Sequence, residues 1–100
     1  METSTTINGT SATIALFGTL TVSSTSRLEA AFADLPEDVT DITLDLTELE
    51  YVASAGLRVI VSQAKKASQN GGSVRITNPN DEVMEVFDVT GLVDILDIVQ

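Results

Sequence analysis

Ser54 has the best claim to chemistry in this sequence. It opens Ser54-Ala55-Gly56-Leu57-Arg58, which follows the extended-type run Leu49 to Val52 and begins the strongest amphipathic helical pattern in the chain. A hydroxyl at a helix start can accept a capping bond, attack an electrophile, or carry a phosphate seated on the positive end of the helix dipole. Attack requires a base and an oxyanion site. The sequence contains no His and no Cys, so only Lys65 or Lys66 could serve as base. Both belong to the far half of the same helix, roughly 16 Å away at 1.5 Å rise per residue. The residues thus point away from an enzyme and leave capping and phosphate acceptance as the readings of Ser54.

Two other groups invite a chemical reading. Asp45 could be the phosphoacceptor of a receiver-type module, but such a site needs an acidic pair after the first strand to hold a metal ion. Gly18-Thr19-Leu20-Thr21 offers none. Asp34, Glu37, Asp38 and Asp41 could suggest a cation site, yet a run of acids between two elements reads first as a solvated loop. With neither thiol nor imidazole available, no metal and no cofactor is expected.

The elements that must position Ser54 follow from periodicity. Thr13 to Phe17 reads as a strand stopped at Gly18. Ser24 to Ala33 reads as a helix, with Ser26 and Glu29 at capping-box spacing, an apolar face of Leu28, Ala31, Phe32 and Leu35, and Pro36 as its stop. Ile42 to Leu46 alternates, placing Ile42, Leu44 and Leu46 on one face and Thr43 and Asp45 on the other. Leu49 to Val52 adds a short extended piece. In Ser54 to Gln69, the residues Leu57, Ile60, Val61, Ala64 and Ala67 recur at helical spacing, and Gly71-Gly72 ends the helix. Ser73 to Thr77 is a second alternating strand. Asn80 or Asp81 caps a helix to Thr90 that buries Val83, Val86 and Phe87, and Ile95 to Val99 closes the chain as a strand. At the amino end, Thr5-Thr6-Ile7 before Asn8-Gly9 reads either as an edge strand with a hairpin turn or as a frayed tail over residues 1–12.

This succession argues for a single α/β domain over residues 1–100 with a parallel core. Strands covered on both faces read as continuous apolar runs, whereas these keep Thr43, Asp45 and Arg75 on one side. Helices are therefore expected on one face, and right-handed crossovers over one face advance the strands in consecutive order. The result is a mixed, mostly parallel (βα)n curl.

Composition narrows the partners. Fifteen Asp and Glu against five Lys and Arg give a formal charge of −10, which repels backbone phosphates and argues against direct nucleic-acid binding. Apolar residues make up 43% of the chain, enough for a core. No apolar run approaches the roughly 20 residues of a membrane span. A cytoplasmic domain without membrane contact is expected.

Functional groups of open α/β sheets gather at the carboxyl ends of strands, here the loops Gly18 to Ser23, Thr47 to Ala53 and Asn78 to Asn80. Ser54 is placed to be the helix N-cap, accepting from Gly56 or Leu57. Gly56 within the first helical turn costs about 1 kcal/mol relative to Ala, so close backbone packing or a closely approaching partner must compensate.

The ordered series Leu44-Asp45-Leu46, Tyr51-Val52-Ala53-Ser54-Ala55-Gly56-Leu57-Arg58, Gly71-Gly72, Asn78-Pro79 and Thr90-Gly91-Leu92 resembles a STAS domain, more narrowly the bacterial anti-sigma factor antagonists. The likeness runs from about Thr13 to the end. It implies a protein that binds a serine-kinase anti-sigma factor while unphosphorylated, releases the sigma factor, is switched off by phosphorylation at Ser54, and is reset by a PP2C-type phosphatase. Position adds a partner-binding face, since the helix start and the loop from Gly18 fall at the same end of the sheet: Gly18, Thr19, Leu20, Thr21, Ala53, Ser54, Ala55, Gly56, Leu57 and Arg58. The commonest family motif has Asp before the acceptor and Ser or Thr after it, where this chain has Ala53 and Ala55; Thr21 stands where an acid is frequent. STAS domains also serve as non-phosphorylated interaction modules of transporters or larger signalling assemblies, which is the alternative reading.

Overall fold

A computed structural model describes residues 1–100 as one five-stranded sheet carrying three α-helices. In chain order the elements are β1 (Glu2–Asn8), β2 (Ser11–Leu20), α1 (Thr25–Ala33), β3 (Asp41–Val52), α2 (Ser54–Gln69), β4 (Ser73–Thr77), α3 (Asp81–Val89) and β5 (Asp97–Val99). The strands lie side by side in sequence order. β1 pairs antiparallel with β2, and every other pairing is parallel. The consecutive curl expected from strand alternation is what the molecule shows. Ile14, Leu16, Ile42, Leu44, Leu46, Val74 and Ile76 face the helices and are buried, joined there by Leu28, Phe32, Leu57, Ile60, Val83 and Phe87. The opposite face is polar and built largely of Ser, Thr and Asp.

Several boundaries differ from the sequence expectation, each for a local reason. The amino-terminal segment is an edge strand, in register from Glu2 opposite Phe17 to Asn8 opposite Ser11. β2 does not stop at Gly18 but continues to Leu20, whose side chain is fully buried. β3 is one strand rather than two pieces. Its buried residues fall at Ile42, Leu44, Leu46, Leu49 and Val52, so the period changes from two to three. Two register shifts against β2, between Ala15 and Phe17 and between Gly18 and Thr19, insert the extra residues. The Ser26–Glu29 capping box does not form, because Ser26 already lies inside α1. A 3₁₀ turn at Val22–Ser24 leads in instead, with the Thr21 amide donating to Ser24 Oγ at 2.8 Å. Val61 is only half-buried and is not part of the core; Val59 packs there in its place. β5 starts at Asp97 rather than Ile95, because the Ile95 and Leu96 amides fold back onto the Leu92 carbonyl at 3.0 and 2.9 Å.

The end of α2 is a Schellman arrangement. Gly71 takes φ +81° and donates to the Ser68 carbonyl at 3.2 Å, while the Gly72 amide reaches Ala67 at 2.8 Å. The chain then enters β4 beside Thr40.

Asp45 sits on the polar face in the first half of β3. Its Oδ1 accepts from the Thr47 hydroxyl at 2.6 Å and from the Thr47 amide at 3.0 Å. The Thr47 hydroxyl bond holds its carboxyl below the ordinary aspartate range against the opposing effect of partial burial, with the Thr47 amide and the Asn78 side chain adding to the depression. A depressed folded-state pKa stabilises the fold above the unfolded value and loses that stabilisation as pH falls through the folded value. Asp45→Asn is therefore expected to melt below wild type near pH 7. In paired thermal melts the gap should narrow as pH drops through the aspartate range, around pH 4 and below.

Candidate functional site

The site is assembled where β2 and β3 end together. Leu20 pairs with Val52, and the Ala53 amide donates to the Leu20 carbonyl at 2.8 Å. These contacts set the Thr21–Ser24 turn against the start of α2. Ser24, only 6% exposed, fixes that turn: its Oγ accepts from Thr21 and lies 3.2 Å from both the Thr19 and Thr21 carbonyls. Asn80 braces the other side. Its Oδ1 caps α3 through the Val83 amide at 2.8 Å, and its Nδ2 donates to Leu49 and Glu50 carbonyls at 3.1 and 3.2 Å. One side chain thus starts a helix and holds the bulged end of β3, which delivers Tyr51 to Ser54.

Ser54 is not the N-cap. Ala53 occupies that position in extended conformation, and its carbonyl accepts from the amides of Gly56 at 3.0 Å and Leu57 at 3.1 Å. Ser54 is the first helical residue, exposed, with no capping bond from its hydroxyl. A residue at this position projects away from the amides that a cap would satisfy, so the expected cap geometry is absent. Ser54→Ala should consequently change the unfolding free energy by no more than about 0.5 kcal/mol, the range of surface substitutions away from caps and cores. A loss of the size expected for a cap, about 1 kcal/mol or more, would show that the hydroxyl holds the helix.

The structure divides the sequence-derived face into surface and support. Thr19, Ser54 and Arg58 are exposed; Gly18, Thr21, Ala53 and Ala55 are half-buried. Leu20, Gly56 and Leu57 are buried beneath them. Gly56 owes its identity to internal packing rather than to an approaching partner: a Cβ there would clash with Leu20 Cγ and stand 3.3 Å from Val52 Cγ2.

A shallow groove of about 450 Å³ runs from Ser54 along α2, lined by Leu57, Arg58, Val61, Lys65, Thr90 and Leu92 among others. Arg58 lies one turn after Ser54 on the same face, and Lys65 lies two turns further. Two of the five basic residues of the chain thus share a groove with the hydroxyl. Thr90 also borders a second depression with Tyr51, Val86 and Val89. Tyr51 is 45% exposed, Val22 75% and Val89 79%, so apolar surface surrounds the site. The contribution of Val89 was not legible in the sequence, since its only signal was an apolar residue off the buried face of α3. A larger groove of about 500 Å³ lies between Phe32, Leu35, Ile42 and Ala67, with Thr40 and Lys66 also on its wall, away from Ser54.

No group of three or more acidic side chains is arranged to hold a metal ion. No helix is long and apolar enough to cross a membrane.

Comparison with known proteins places this arrangement. The family described as "Mlab, STAS domain" matches residues 3–99. Over 81 residues, 81% of this chain and 74% of the other, the sequence is 35% identical to the anti-sigma-B factor antagonist of Bacillus subtilis (strain 168). A Thermotoga maritima protein, TM1081, superposes with a TM-score of 0.90 at 24% identity, covering 98% of this chain and 86% of that one. The anti-sigma factor antagonist SpoIIAA in its unphosphorylated form superposes with a TM-score of 0.81 at 19% identity over 99% of this chain and 89% of its own. The phosphorylated form of Bacillus SpoIIAA gives a TM-score of 0.74 at 20% identity over 99% and 92%. At these identities the superpositions bear on the fold alone.

Proposed function

This chain belongs to the STAS domain family, among the anti-sigma factor antagonists, and from that premise we propose that it is a phosphorylation-controlled antagonist acting through Ser54. Proteins of this family are non-enzymatic regulators, and the chain acts by binding. In its unmodified form it binds an anti-sigma factor that is also a serine kinase, in the cytoplasm, and so releases the sigma factor. The kinase phosphorylates Ser54 and ends the complex; a PP2C-type phosphatase restores it. The binding face consists of the exposed Thr19, Ser54 and Arg58 and the half-buried Thr21, Ala53 and Ala55 around the α2 start, carried on Gly18, Leu20, Gly56 and Leu57.

The observation that carries this reading is Ser54 itself: an exposed hydroxyl at the first position of a 16-residue helix, relieved of capping. A phosphate there lies at the positive dipole end of α2, with Arg58 one turn away. The fold can therefore accept the charge while the surface changes. SpoIIAA, an anti-sigma factor antagonist of the same fold, has a structure in each of a phosphorylated and an unphosphorylated form. The test is incubation with ATP and the cognate kinase, followed by intact-mass measurement and peptide mapping. One phosphate on Ser54 is expected. Phosphate on another residue, or none beside an intact complex, would favour a non-phosphorylated interaction module, the reading that Ala53 in place of the frequent acid favours.

A further inference from the structure

We propose that two copies of this chain pair through β1, forming a two-fold dimer with a continuous ten-stranded sheet, on a surface separate from the Ser54 face. The sheet has five strands per copy and two open edges, β1 and β5. β5 is three residues long and is blunted by Asp97, whose carboxylate binds Arg75 at 3.0 Å. β1 is seven residues long, exposed throughout, rich in Thr, and free of Lys, Arg and Pro. Apart from Glu2 at its first position, ion-paired to Arg27 of α1 at 3.9 Å, it carries none of the usual devices that keep an edge from pairing.

The hairpin fixes which backbone groups are available. Asn8 opposes Ser11 across the two-residue loop Gly9-Thr10, and such loops close on a hydrogen-bonded pair. Alternation from there directs the amides and carbonyls of Asn8, Thr6, Ser4 and Glu2 toward β2. Those of Thr3, Thr5 and Ile7 point outward. A second β1 laid antiparallel about Thr5 matches this outward set to itself: Thr5 faces Thr5 of the second copy, and Thr3 faces Ile7 of the second copy. Each of these is a hydrogen-bonded pair, and each half-exposed Ile7 gains a cross-strand neighbour.

Charge selects a second copy over a foreign strand. A chain at −10 repels its own copy wherever acids meet, yet no charged residue lies between Glu2 and Arg27. The β1–β2 hairpin is therefore the surface on which self-association costs least. α1 adds complementarity. Arg27 sits at the Met1 end of β1, its Nη1 donating to the Met1 carbonyl at 3.1 Å. Asp34 sits at the other end of the helix, and both line the depression beside Thr3, Thr5 and Ile7. Opposed residues of an antiparallel pair point to one face, so both α1 helices lie on the same side of the junction. The two-fold axis then brings Arg27 of each copy to the end that holds Asp34 of the other. The interface is isologous and closes at two.

Sedimentation velocity on the full chain at low salt, from about 1 μM to about 1 mM, should show a reversible monomer–dimer equilibrium. Thr5→Pro removes the central outward amide, a change edge strands tolerate, and should leave a folded monomer at every concentration. Thr5→Lys, which sets two ammonium groups on the axis, should do the same. Arg27→Asp should weaken the dimer about tenfold, and the exchange Arg27→Asp with Asp34→Arg should restore it. A wild-type monomer across the range, a dimer indifferent to both Thr5 variants, or failure of the charge exchange to rescue would each overturn the proposal.

Discussion

Ser54→Asp is expected to bind the serine-kinase anti-sigma factor at least about a hundredfold more weakly than wild type, whereas Ser54→Ala binds within a few-fold. A carboxylate at the first helical position is favourable to the helix by about 0.3–1 kcal/mol, so the fold should not suffer. The loss arises in the complex. An unmodified hydroxyl in the middle of a docking face buries at little cost, but a charge there must be desolvated or must meet a like charge, at several kcal/mol. About 2.8 kcal/mol corresponds to a hundredfold. Titration calorimetry on both variants, with melting curves to show that they are folded, separates a surface effect from a folding effect. Equal weakening by Ala and Asp would mean that the hydroxyl contributes a binding contact and not a switch.

Gly56→Ala should destabilise the domain by about 1–3 kcal/mol, although Ala is the better helix former by about 1 kcal/mol. The new Cβ would clash with Leu20 Cγ, and Leu20 is fully buried and cannot swing out. For a domain of this size, 1 kcal/mol lowers the melting temperature by about 4–8 °C. Relief can come only by moving α2 away from β2, which also separates Ser54 from the Thr21–Ser24 turn, so kinase binding should fall as well. Leu20→Ala alone costs about 2–5 kcal/mol as a core cavity, but it vacates the space the new methyl needs. The double variant should thus be more stable than the sum of the two single losses implies, by about 1 kcal/mol or more. Strict additivity would show that Gly56 is required for some reason other than Leu20.

Much of this architecture was legible in the sequence, because burial on one face leaves a period-two trace in Ile42-Thr43-Leu44-Asp45-Leu46 and Ser73 to Thr77. A sheet with one polar face and consecutive strands follows from that trace. What was not legible depends on pairing. The bulges of β3 turn a 12-residue strand into an apparent strand and fragment, since Leu46, Leu49 and Val52 follow neither strand nor helix spacing. The length of β2 was hidden by Gly18, which stops an isolated strand but not one paired with β3 on its far side. At the site, Ser54 and its neighbours stand out by residue type alone. Its exact turn position does not, because Ala53 and Ser54 differ in conformation and not in any pattern that spacing reveals. Gly56 signalled an unusual requirement whose cause, Leu20 pressing on the helix, is tertiary. The apolar surround of Val22, Tyr51 and Val89 combines three distant segments and left no local trace.

The most direct test of the Ser54 switch uses one preparation of the unaltered protein in three states: as purified, after stoichiometric phosphorylation by the cognate kinase, and after phosphatase treatment of the phosphorylated sample. Affinity for the anti-sigma factor is measured in each. The account requires tight binding in the first state, at least about a hundredfold weaker binding in the second, and full recovery in the third. Equal affinity in all three states, with Ser54 shown to carry the phosphate in the second, would contradict it.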